Sequence, residues 1–77
     1  MRIEEIERHL NERGLFPDNI YEHNGCVEIE IFKGDWKHEH IKCDLLMGNI
    51  GYTQKKNILI DEDGSDCYSA IHIYEKN

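Results

Sequence analysis

With 77 residues, 39% of them hydrophobic and 32% charged, the chain has room for one small domain and no second core. Sixteen acids against nine bases give a net charge of −7, which argues against direct nucleic-acid binding, because phosphates demand a basic surface. No run approaches the roughly 18 apolar residues that span a bilayer, and Glu4 and Glu5 stand where a signal peptide would be basic; no membrane partner is expected, and the expected compartment is the cytoplasm.

The first element reads as a helix. Ile3, Ile6 and Leu10 recur at helical spacing, with Glu4, Glu5, Glu7, Arg8 and Glu12 on the remaining faces. Gly14 supplies a left-handed C-cap, Leu15 folds back onto the helix, and Pro17 marks the stop.

A hairpin follows. Asn24-Gly25 is the strongest turn signal in the chain, since both central positions of a type I′ turn need positive φ. It joins strands at 20–23 and 26–32. In the second strand Val27, Ile29 and Ile31 point one way and Glu28, Glu30 and Phe32 the other, the alternation of a half-buried antiparallel strand. Lys33-Gly34-Asp35 reads as a connector, with Asp35 as an N-cap.

From Trp36 a second helix is expected to run to about Ile50. Trp36, His40, Cys43, Met47 and Ile50 form its apolar stripe, flanked by Leu46, and Gly51-Tyr52 repeats the ending of the first helix. Gly48 weakens the last turn by about 1 kcal/mol relative to alanine. A second hairpin follows, with strands at 57–60 and 67–74 around the loop at 61–66.

These elements predict an α+β fold in (αββ)₂ order, with two helices packed on one face of a four-stranded, mostly antiparallel sheet. Sliding Ile3 onto His40 also sets Ile6, Leu10 and Gly14-Leu15 onto Cys43, Met47 and Gly51-Tyr52. Any two amphipathic helices share such spacing, so the match does not establish duplication. If Val27, Ile29, Ile31, Ile71 and Ile73 meet the helices, the opposite face carries Glu28, Glu30, Phe32, Tyr68, Ala70, His72 and Tyr74. That acidic and aromatic face is the expected binding surface, through Glu28, Glu30, Phe32, Tyr68, His72 and Tyr74.

Three constellations point to other chemistry. His38-x-His40-x-x-Cys43 offers zinc-type ligands, of which His40 and Cys43 share a helix face, while the same two residues also fit the core stripe. The loop at 61–66 concentrates Asp61, Glu62, Asp63 and Asp66. Against a calcium-loop template Asp61, Asp63 and Ser65 match, but Asp66 stands where the glycine belongs and His72 where the bidentate glutamate belongs. A nucleophilic site would pair Cys67 with His72 or His23, yet Cys67 and His72 leave opposite faces of a strand, and no nucleophile or phosphate-loop motif is present. Three cysteines without a CxxC pair read as reduced thiols.

The resulting expectation is a non-catalytic protein-interaction module with no metal and no cofactor. Its expected partner is a basic protein, with an acidic inhibitor of a nucleic-acid-binding protein as the sharpest form, or a second copy of the chain on the open sheet face. A zinc or calcium module and a small enzyme or enzyme subunit are the alternatives.

Overall fold

The computed structural model describes residues 2–62 and 66–77. Two helices and four strands follow in the order α1 (Ile3–Asn11), β1 (Asn19–His23), β2 (Cys26–Asp35), a π-helical segment (Trp36–Ile41) continuing into α2 (Lys42–Gly48), β3 (Tyr52–Glu62) and β4 (Cys67–Lys76). The strands form one antiparallel sheet in the order β1-β2-β4-β3. The α+β class and the (αββ)₂ order therefore stand. Exchanging the two hairpins maps this order onto itself, with the β2–β4 seam at the centre.

Each predicted stop is built as expected. After α1, Gly14 takes φ +85° and donates to the Asn11 carbonyl, while Leu15 donates to that of Leu10. This pair of bonds is the Schellman closure, and it delivers Leu15 into the core. Asn24 and Gly25, at φ 52° and 80°, close the first hairpin. Ile6, Leu10 and Leu15 then cluster with Val27, Ile29 and Ile31 of β2, Cys43, Leu46 and Met47 of α2, Tyr52 of β3 and Tyr74 of β4. His9 ties the helices together, its Nε2 donating to the Leu46 carbonyl at 2.9 Å.

Three features depart from the sequence reading. Strand β2 does not end at Phe32: a bulge at Phe32-Lys33, with Lys33 at φ 51°, carries it on to Asp35. The buried Gly34 beyond the bulge lies against the side chains of Ile31 and Glu39. The second helix opens with i→i+5 turns, which swing Trp36 off the apolar stripe and leave it 52% exposed. Strand β3 begins at Tyr52, not Asn57, and its polar first half is invisible to an apolar-alternation test.

The largest correction concerns β4. Its register sets Tyr74 opposite Val27, His72 opposite Ile29 and Ala70 opposite Ile31. These three β4 residues therefore face the helices and are buried, whereas Ile71 and Ile73 lie on the other face, half-buried, opposite Glu30 and Glu28. The assignment is inverted by one position because the polar atoms of His72 and Tyr74 find partners beneath the helices. Once hydrogen-bonded, those side chains fill the core without the penalty of a stranded polar group.

Candidate interaction surface

The structure divides the expected site residues among three places. The uncovered sheet face keeps Glu28 and Glu30, adjacent on the central strand β2. Register places Tyr21 and Ile73 on either side of Glu28, and Asn19 and Ile71 on either side of Glu30. Lys56 and Ile58 of β3 continue those rows outward. Asn19 Nδ2 donates to Glu30 Oε1 at 2.8 Å, which fixes that carboxylate on the surface. Tyr21 and Ile58 are exposed and Ile71 and Ile73 half-buried, so acids and apolar side chains alternate across the face. Phe32 stays exposed at the bulge, where its N–H donates to Asp18 Oδ2 at 2.7 Å.

Tyr68, His72 and Tyr74 leave the expected binding face and form a polar layer under the helices. The His40 ring stacks on Tyr68 with centroids 3.9 Å apart and planes at 9°. His40 Nε2 donates to the Tyr68 carbonyl at 2.9 Å, and its Nδ1 lies 2.8 Å from His72 Nε2. His72 Nδ1 in turn lies 2.7 Å from Gln54 Oε1. Tyr74 Oη donates to Asp44 Oδ1 at 2.5 Å and lies 3.3 Å from Cys43 Sγ. Among the described residues no buried side-chain nitrogen or oxygen lacks a partner.

The histidine chain has a definite proton requirement. With Gln54 Oε1 accepting, its three hydrogen bonds consume three N–H groups, while two neutral imidazoles supply only two. The pair then carries one extra proton and one positive charge. Turning the Gln54 amide so that Nε2 donates to His72 Nδ1 closes the chain with two protons and no charge. Burial, and then the neighbouring His40 ring, hold His72 below its ordinary pKa, against the pull of Asp44. That direction favours the neutral arrangement.

Of the zinc-type residues, His40 and Cys43 are committed to this layer, while His38 is exposed. Both His40 ring nitrogens are engaged. Burial raises the Cys43 thiol to about 12. Among the described residues no group of three or more His, Cys, Asp or Glu converges on a point. Cys67 and His72 stand five positions apart on β4, and His72 is buried with its two ring nitrogens engaged by His40 and Gln54.

In the acidic loop, Asp61 and Glu62 end β3, both exposed. Asp63, with Gly64 and Ser65, lies outside the described residues. Asp66 is exposed, and its carbonyl accepts the Trp36 N–H at 3.0 Å. Asp66 thereby joins Asp35, Trp36, Lys37 and His38 around an open depression of about 370 Å³. Asp35 Oδ2 accepts the His38 N–H at 2.7 Å, and that bond holds its carboxyl below the ordinary value. The depression mixes both signs of charge. The features that sequence reasoning missed are Asn19, Tyr21, Lys56 and Ile58 on the open face, and Gln54 in the histidine chain. Only strand pairing brings these residues to their places.

Compared with protein-family models, with curated proteins and with solved structures, the chain shows no significant match.

Proposed function

We propose that this chain is a non-catalytic interaction module that presents the uncovered face of its sheet to a basic region of a partner protein. The observation that carries this reading is the pair Glu28 and Glu30 on the central strand, set among Tyr21, Ile58, Ile71 and Ile73. Apolar side chains supply contact area, and carboxylates aligned on a rigid strand steer a cationic partner into register. The net charge of −7 adds a long-range field of the same sign. Its sharpest form is an acidic inhibitor that lays these carboxylates where the phosphates of a nucleic acid would sit on a basic protein.

The test is an NMR titration of the labelled protein with a peptide of alternating arginine and leucine, and separately with duplex DNA. The expected peptide shifts map to Glu28, Glu30, Ile71 and Ile73, weaken with added salt and vanish in the E28K/E30K variant, while DNA produces none. Shifts confined to the helices, or peptide affinity indifferent to salt and to E28K/E30K, overturn the reading.

A further inference from the structure

We infer that a second copy of this chain pairs with the outer edge of β3, joining two sheets into one of eight strands. Strand β3 is an edge strand, and among the described residues β4 is its one neighbour in the sheet. It is 11 residues long, against five for the other edge strand β1, and from Lys55 to Glu62 every residue is exposed. Within that stretch Ile58, Leu59 and Ile60 are consecutive and 40%, 57% and 50% exposed. Native sheets ordinarily guard such an edge by shortening it or by placing charge along it. Here the charge stands at the two ends and leaves the centre apolar.

The order of residues names the occupant. Lys55-Lys56-Asn57-Ile58-Leu59-Ile60-Asp61-Glu62 runs from two cations through an apolar centre to two anions. Antiparallel pairing of this segment with itself brings the cationic end of each copy against the anionic end of the other. The two-fold axis of such a pair passes through a residue facing its own copy. Centred on Leu59, Ile58 faces Ile60 and Lys56 faces Glu62. Centred on Ile58, Lys55 faces Asp61. Both registers join opposite charges and bring the apolar centres together, and opposite-charge and β-branched cross-strand pairs are the unit of sheet stabilisation. Parallel self-pairing would set lysine against lysine. The bulges at Lys55 and Ile60 confine the regular ladder to the run from Lys56 to Leu59, so Ile58 and Leu59 form its centre and the oppositely charged ends meet beyond the bulges.

This edge suits a second copy better than the open face does. Stacking on the open face would strip water from Glu28 and Glu30 on the inner strand β2, whereas Lys56, the cation of that row, stands out on the edge strand β3. Edge pairing leaves both acids in solvent, so the inference stands independently of the proposed partner.

The test uses two charge-reversed variants, K55E/K56E and D61K/E62K, and the apolar-centre variant L59K. All five positions are exposed, and an unchanged circular dichroism spectrum with a cooperative melt verifies that each variant folds. In sedimentation velocity over a concentration series, the expected wild type is a dimer that dissociates on dilution. L59K is monomeric, and each charge-reversed variant alone self-associates about tenfold more weakly or worse. An equimolar mixture of the two charge-reversed variants restores a heterodimer, because every reversed acid then meets a reversed lysine. E28K/E30K associates as wild type does. A wild type that stays monomeric throughout, a dimer untouched by L59K, or a mixture that fails to restore association overturns the inference.

Discussion

His40 Nδ1 and His72 Nε2 lie 2.8 Å apart in the core, and both histidines are 2% exposed. The contact between them accommodates one proton, and the outer nitrogens end on a backbone carbonyl and on an amide that can turn. His72 is held low by its burial and then by the neighbouring His40 ring, with Asp44, Cys43, Tyr68 and Tyr74 as the other ionisable groups around the two rings.

The pH dependence of stability follows. His72 is held below its ordinary value of 6.5 in the folded chain, so the unfolded chain takes up this proton first as pH falls. Stability present above about pH 6.5 is therefore lost progressively below it, until His72 in the folded chain also protonates. Thermal unfolding followed between about pH 7 and pH 5 should show the melting temperature dropping by several degrees. His72→Gln should flatten that slope. An equal slope in the variant would show that the histidine pair does not set it.

Gln54→Glu tests the proton count. A carboxylate only accepts at His72 Nδ1, so it removes the amide rotation that permits the neutral chain and adds a negative charge beside the pair. The histidine titration, read from ring resonances by NMR, should move up by about one unit or more. Gln54→Leu should move it down, because the protonated pair then loses an acceptor.

Tyr74→Phe removes the hydroxyl that reaches Asp44 and Cys43. Asp44 lies at the surface and is resolvated, so the loss should be about 1 kcal/mol in chemical denaturation. Cys43 itself, buried and with its thiol pushed up to about 12, should resist iodoacetamide in the native protein and react only on unfolding.

Gly34→Ala probes the bulge. A methyl group there meets the Ile31 side chain and comes within 2.6 Å of Glu39 Oε2, the atom that accepts the Asp35 N–H. Overpacking of this kind costs about 1–3 kcal/mol. Gly25→Ala, by contrast, meets no neighbour and is opposed by its positive φ alone. A denaturation midpoint lower for Gly34→Ala than for Gly25→Ala would confirm that close packing decides at Gly34.

The fold was legible wherever local chemistry decided it. Gly14-Leu15 and Asn24-Gly25 encode a helix stop and a hairpin through their own backbone preferences. The alternation of Val27, Ile29 and Ile31 assigned β2 to its faces. The candidate surface was legible by half: Glu28, Glu30 and Phe32 remained outside, but Tyr68, His72 and Tyr74 moved under the helices. Period-two alternation in β4 fits two facings, and hydrophobicity favoured the isoleucines. Hydrogen bonds with Gln54, His40 and Asp44 reversed that preference, and all three belong to other elements. The bulges at Lys33, Lys55 and Ile60 were likewise hidden, since each arises from pairing with β4.

The strand order has a consequence for how the chain is made. The central strand β4 is the last of the four to be synthesised, and it must enter between β2 and β3. The first hairpin can close as soon as Asn24-Gly25 emerges, and both helices can form locally, but no sheet exists for them to cover until β4 arrives. More than half of the chain lies between Cys26 and its partner Glu75. Closing that seam carries the largest loop entropy in the fold and is expected to limit its folding rate. Until then His40 has no His72 to meet, so the buried histidine chain can form only once β4 is in place.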